Sequence, residues 1–327
     1  MKQLILDFPA QLHEALIIGQ SYRFLSAGKE FSNVILTGLG GSGIGGSMVQ
    51  NYVFDKMKVP FAVNKDYFLP AWVNKHSLVI VSSYSGNTEE TIAAMQQAIK
   101  AKATIVCITS GGKVAELAKK KNIDCILLPA GMPPRSCVGY SMVQVLFTLA
   151  QFGLINNDFK RNVKSSIKLL NEELPAIQKK AKAIAQKLNG KLPVIYAASD
   201  YEGLAVRVRQ QINENSKMLC LHGVVPEMNH NELVGWRDKD AKKAVLILRN
   251  DDDYERVQTR IDINKKIIKK CTPTVIELYS KGKSYWEKIF YFIHVTDWVS
   301  VYLADLHNVN ATEVKVIDFL KGQLAKV

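Results

Sequence analysis

Leu78-Val79-Ile80-Val81-Ser82-Ser83-Tyr84-Ser85-Gly86-Asn87-Thr88-Glu89-Glu90 decides how the chain is read. The four apolar residues form a short run without polar alternation, as in a strand buried on both faces. The run opens into closely spaced hydroxyls, a glycine and then helix-forming residues. Such a turn gathers side-chain donors and free backbone N–H groups at one point, at the positive end of a new helix. Ser83, Ser85 and Thr88 can each donate to an anion such as phosphate. A second reading stays open at this level: Ser85 or Asn87 caps the helix, and Glu89 or Glu90 favours its first turn.

Outward from this stretch, similar runs recur with helical patterns between them. They are Asn33 to Gly38, Val59 to Val63, Thr104 to Ile108 and Ile123 to Leu128. Five strands in about 100 residues predict a parallel sheet covered by helices. A helix is expected before it (Gln11 to Gly28), and others from Ile44 to Lys56 and from Val138 to Phe152. The polar, lysine-rich helical segment from Asn156 to Leu188 looks like a crossing between two domains, residues 1–155 and 156–327. The second series has strands at Leu192 to Ser199, Ala244 to Leu248 and Thr274 to Leu278, and helices at Glu202 to Ser216 and Asp253 to Lys270. An irregular segment is expected from Cys220 to Arg237, with two helices, Ser284 to Leu306 and Thr312 to Leu324, closing the chain. The class is α/β: two domains, each a mainly parallel sheet flanked by helices.

The 327 residues are 47% hydrophobic and 22% charged, the balance of a soluble globular protein. No run approaches the roughly 18 apolar residues of a membrane span, and Asp7 and Pro9 interrupt the place of a signal peptide. A cytoplasmic protein with no membrane partner is the expectation. The five cysteines lie far apart, without the paired spacing of a zinc site. Net charge is +13, which points to anionic partners. The lysines are spread along helices such as 179–182 and 265–270, as on solvated helix faces, so nucleic acid is not expected.

Gly38-Leu39-Gly40-Gly41-Ser42-Gly43 satisfies the G-x-G-x-x-G pattern between a strand and a helix, and Asp66 follows at the distance of a ribose contact. A dinucleotide fits this turn but leaves the serine turn and Arg135, in the loop after the fifth strand, without a role. A single sugar phosphate uses all three: glycines for close approach, hydroxyls for phosphate, a guanidinium for developing charge.

Gly40-Gly41-Ser42-Gly43, Ser83-Tyr84-Ser85-Gly86-Asn87-Thr88-Glu89-Glu90-Thr91 and Pro134-Arg135 together resemble the sugar isomerase (SIS) domain. With Asn213-Glu214-Asn215 and Glu227-Met228-Asn229-His230-Asn231-Glu232, nearly the whole chain resembles the two-domain bifunctional phosphoglucose/phosphomannose isomerases. The resemblance implies an aldose-ketose isomerase acting through an enediolate, with no metal or redox cofactor. It implies that Gly40, Gly41, Ser42, Ser83, Ser85 and Thr88 hold the phosphorylated hexose. Glu214 would be the general base, with Asn213 and Asn215 orienting it, and Arg135 would stabilise the enediolate. His230 would open the sugar ring and would come from the neighbouring subunit of a homodimer; His222 is its rival in the same segment. A C-terminal lysine would complete the site, Lys321 or else Lys315, and Thr312 is the candidate for accepting the mannose epimer. The long aromatic helix from Ser284 is either core or part of the dimer interface.

Two other functions remain to be weighed. A non-catalytic SIS sensor would use the serine turn but not Glu214. An amino-sugar isomerase would be expected to bring a glutaminase domain.

Overall fold

The computed structural model describes every residue except Ala27, Ala325 and Val327. Two short helices, α1 (Lys2–Leu6) and α2 (Phe8–Ser21), come first, and Pro9 at the start of α2 sets its first turn. The first sheet is built from β1 (Asn33–Thr37), α3 (Gly40–Val53), β2 (Phe61–Asn64), β3 (Ser77–Ser82), α4 (Glu89–Lys100), β4 (Thr104–Thr109), α5 (Gly112–Lys121) and β5 (Asp124–Leu127). All its pairings are parallel, in the order β2-β1-β3-β4-β5.

The apolar runs divide by strand period. Ile35, Val79, Val81 and Cys107 point to one face and pack with Met95, Ala98, Val114 and Ala118. Leu36, Ile80 and Ile108 point to the other, where Ile44, Met48, Met142 and Val143 cover them. A sheet buried on both faces needs the unalternating runs seen in the sequence.

The chain continues through α6 (Val138–Gln151) and the 31-residue α7 (Asp158–Leu188) into β6 (Leu192–Ala198), α8 (Glu202–Ser216), β7 (Leu221–Val225), β8 (Lys243–Arg249), α9 (Glu255–Ile268) and β9 (Val275–Tyr279). This second parallel sheet has the order β7-β6-β8-β9. Strand β7 lies inside the segment expected to be irregular. As an edge strand it is half-exposed and carries His222 and Gly223, so neither an apolar run nor strict alternation announces it.

Helix α10 (Tyr285–Leu306) opens on a capping box between Ser284 and Glu287 and is buried on nearly all sides against α7 and α8. Its aromatic richness is therefore core. The last helix, α11 (Lys315–Leu324), buries no residue. Among the described residues no helix is long and apolar enough to cross a membrane.

Candidate active site

Three loops meet at the carboxyl edge of the first sheet. After β3, the Ser83 and Thr88 hydroxyls lie 3.0 Å apart, and the Tyr84 N–H donates to Ser42 Oγ at 3.2 Å, joining the serine turn to the glycine turn. Neither capping candidate holds α4: Thr88 is the N-cap and makes no side-chain cap bond. Asn87 Oδ1 accepts instead from Lys113 N at 3.1 Å, and Ser85 Oγ accepts from Asn87 N at 3.3 Å. The first N–H groups of α4 thus have no side-chain cap and stand beside hydroxyls, which is the chemistry of an anion site. Gly86 (φ +68°) is required, since a Cβ there would lie 1.8 Å from the Gly111 carbonyl oxygen.

The third loop carries Arg135, on a short 3-10 turn (Pro134–Ser136). It runs close to the glycine turn: a Cβ on Gly41 would sit 3.0 Å from the Pro134 carbonyl oxygen. Gln11 of α2 steadies it, donating to the Ser136 carbonyl at 2.8 Å and accepting from Gly139 N at 3.0 Å. Arg135 is 6% exposed, and its Nε and Nη2 groups are engaged in hydrogen bonds. Nε donates to Asn215 Oδ1 at 2.8 Å, Nη2 donates to the carbonyls of Ala311 (2.6 Å) and Thr312 (3.0 Å), and Nη1 faces Glu214 Oε2 at 3.4 Å. Burial pulls the Arg135 guanidinium below its ordinary value, and the Glu214 carboxylate opposes that pull.

Glu214 sits in the last turn of α8, which stops where Lys217 adopts a left-handed conformation (φ +56°). The two flanking asparagines do not orient its carboxylate, contrary to the sequence expectation. Successive helical residues are rotated by about 100° and cannot face one target. Asn215 turns inward, accepting from Arg135 and donating to Ser300 Oγ at 2.9 Å, while Asn213 Oδ1 has no partner among the described residues. Glu214 is instead aligned through its helix and through Arg135.

A buried residue behind the site escaped the sequence reading. Arg207 (2% exposed) donates to the Arg135 carbonyl at 3.3 and 3.2 Å and pairs with Asp297 of α10 at 2.7 Å. Gln211 Nε2 donates to the other Asp297 oxygen at 2.9 Å. Burial raises the Asp297 carboxyl above its ordinary range, with Arg207 opposing. Its signal was available: Ala205-Val206-Arg207-Val208 and Thr296-Asp297-Trp298 each set one charge among apolar residues, and such charges need a partner inside a fold.

Lys217 Nζ donates to the Glu214 carbonyl at 2.5 Å and to the Glu313 carbonyl at 2.7 Å. Residues 311–313 are therefore strapped to the site from two sides. Burial, then the charge of Arg135, lowers the Lys217 ammonium from its ordinary value. Thr312 contributes its carbonyl rather than its hydroxyl. Lys321 and Lys315 lie beyond the strap on exposed α11, and Lys315 pairs with Glu313 at 3.8 Å. Asp66 accepts from the adjacent Tyr67 N at 2.6 Å.

His230 ends a 3-10 turn (Glu227–His230) just past β7, exposed, and makes no hydrogen bond or ion pair with Glu214 or Arg135. His222 is half-buried on β7, and burial lowers it from its ordinary value, the Arg209 charge adding to that. Among the described residues no cluster of His, Cys, Asp or Glu could hold a metal ion.

The chain is 39% identical, over its whole length and 99% of the relative's, to a bifunctional phosphoglucose/phosphomannose isomerase of Caldicellulosiruptor bescii. The chain belongs to this family. It is also 36% identical to the enzyme of the same description from Aquifex aeolicus, over 90% of this chain and 91% of that one. Residues 177–324 match the model of the bacterial phospho-glucose isomerase C-terminal SIS domain. In fold, the C-terminal domain of glucosamine-fructose-6-phosphate aminotransferase from Francisella tularensis is similar, with a TM-score of 0.78 at 14% identity over 96% of this chain and 97% of that one.

Proposed function

We propose that the chain interconverts glucose 6-phosphate and mannose 6-phosphate with fructose 6-phosphate by moving a proton between C2 and C1. The observation that carries this reading is the Glu214–Arg135 pair, 3.4 Å apart and bordered by the glycine turn. A sensor of sugar phosphates has no use for a half-buried carboxylate facing a buried guanidinium.

The phosphate takes the hydroxyls of Ser42, Ser83, Ser85 and Thr88 and the N–H groups at the start of α4, and Gly40 and Gly41 let the sugar approach the backbone. Glu214 removes the C2 proton of the open-chain aldose, and the electron pair of that bond passes to the C1 carbonyl oxygen, giving an enediolate. Arg135 Nη1 stabilises that charge; the C2 hydroxyl proton moves to the C1 oxygen, and Glu214 returns its proton to C1 as the C2 carbonyl forms, giving the ketose. The transfer needs no metal and no redox cofactor.

Ring opening needs a proton donor and acceptor near neutral pH, which His230 supplies from a second copy of the chain. Its exposure and its lack of a bond to its own Glu214 support a homodimeric site. Lys321 joins the site from α11, and Thr312 bears on the mannose epimer. The two sheets divide the chain at about residue 155, substrate binding falling to the first unit and the base and imidazole to the second. The enzyme works in the cytoplasm in hexose phosphate metabolism.

Coupled assays on both aldose phosphates test the reading. The native chain turns over both, and Glu214→Gln keeps binding but loses about 10²- to 10⁴-fold in kcat. A native chain inactive on both overturns the isomerase, whereas an active Glu214→Gln overturns only the base. Mixing Glu214→Gln chains with His230→Ala chains restores part of the activity if the site is shared.

A further inference from the structure

The segment carrying His230 is tied at one end to helix α9 and at the other to β6 of the second sheet. Ahead of the imidazole, Asn229 Nδ2 donates to Oδ1 of the buried Asn264 on α9 at 2.7 Å. Behind it, Asn231 accepts from Glu232 N at 2.5 Å and donates to Glu227 at 2.8 Å. The stronger anchor is a buried phenol. Tyr196 of β6 is 2% exposed; its hydroxyl donates to the Glu232 carboxylate and accepts from Trp236 Nε1 at 2.8 Å.

A buried phenol needs both an acceptor for its proton and a filled lone pair, and a carboxylate acceptor makes the bond charge-assisted. The neighbouring strand leaves room for it. A Cβ on Gly223 would lie 2.7 Å from Glu232 Oε2 and 3.0 Å from Tyr196 Cε1. Nothing in this arrangement holds the imidazole itself, which stays exposed two residues away.

We infer that Glu232 is a positioning residue: clamped by Tyr196 and Trp236, it fixes the turn so that His230 is presented outward to the sugar held by a second copy of the chain. The inference rests on the reading of His230 as the ring-opening group.

Glu232→Ala, Glu232→Gln and Gly223→Ala test it in the full chain, each in the native and the His230→Ala background. Glu232→Ala is expected to lower kcat at least about tenfold with KM within about twofold, and Gln, which can still accept from Tyr196, restores most of it. Gly223→Ala, which displaces the carboxylate, reproduces the loss. In the His230→Ala background Glu232→Ala costs less than about a further twofold. An equal loss in both backgrounds marks a merely structural residue and overturns the inference.

The His230 ring proton resonance, assigned among six histidines by its loss in His230→Ala, is the independent readout. It broadens or moves in Glu232→Ala and returns in Glu232→Gln; an unchanged resonance overturns the inference. A His230→Ala protein with native kcat overturns the ring-opening reading, and the resonance still decides the positioning.

Discussion

Replacing Arg207 by Met removes the charge that joins the Arg135 loop to the core while keeping the aliphatic stem. Among the described residues, Asp297 then remains in α10 with only Gln211 as a side-chain donor, at 2.9 Å. Breaking a buried pair in this way costs about 3–5 kcal/mol, because the surviving charge is uncompensated. Arg207 is also the group that opposes the burial-driven rise of the Asp297 carboxyl. Without it the native carboxyl titrates still further above its unfolded 3.8, so the folded variant binds a proton that the unfolded chain has released. Arg207→Met therefore regains stability as pH falls through the raised native value, and is weakest at neutral and alkaline pH.

A second change separates stability from function. Arg207→Met with Asp297→Asn removes the buried charge and recovers most of the loss, but the Arg135 carbonyl still lacks its two donors at 3.3 and 3.2 Å. Its kcat should stay down by roughly 10- to 100-fold, the equivalent of about 1.5–3 kcal/mol for a lost bond to a charged group. Urea unfolding at pH 5 and pH 8, with the coupled isomerase assay, measures both effects. An Arg207→Met protein within about 0.5 kcal/mol of native at pH 8 refutes the ion-pair reasoning. A double variant with native kcat refutes the role given to Arg207 behind Arg135.

Three further outcomes follow from particular contacts. Asn215→Ala strips Arg135 Nε of its 2.8 Å acceptor and should lower kcat by roughly 10- to 100-fold, more than it raises KM; steady-state kinetics on glucose 6-phosphate decide this. Gly86→Ala forces a Cβ to within 1.8 Å of the Gly111 carbonyl at φ +68°. Local strain of about 1–3 kcal/mol should then distort the serine turn and raise KM for the sugar phosphate, while thermal unfolding shows whether the fold survives. Burial holds His294 at about 4, against its ordinary 6.5. Above 6.5 both states are neutral at this ring; below it the unfolded chain gains a proton that the native ring refuses. Stability is thus lost as pH falls from 6.5 towards 4, by about 3 kcal/mol in total, and His294→Leu should remove that part of the slope in urea titrations at stepped pH.

The strands of the first sheet and the turns that follow them were legible because each is local. An unalternating apolar run, a glycine where no Cβ fits and a cluster of hydroxyls are properties of a few neighbouring residues. Glu214, Arg135 and His230 were singled out as candidates through the family's motifs, which also belong to short segments. Strand β7 was not, since an edge strand with His222 and Gly223 owes its existence to pairing with β6, a contact made across intervening helix.

The sequence by itself determined an α/β chain with a serine turn that gathers hydroxyl donors, a glycine turn and a set of residue types suited to proton transfer. Only the tertiary structure decided how Arg135 is held: by Asn215 from 80 residues away, by the carbonyls of Ala311 and Thr312 from 176 and 177 residues away, and through its own carbonyl by Arg207. Side-chain direction on a helix, and the approach of segments distant in the chain, depend on packing that no local pattern encodes. That is why Asn215 proved to serve Arg135 rather than Glu214.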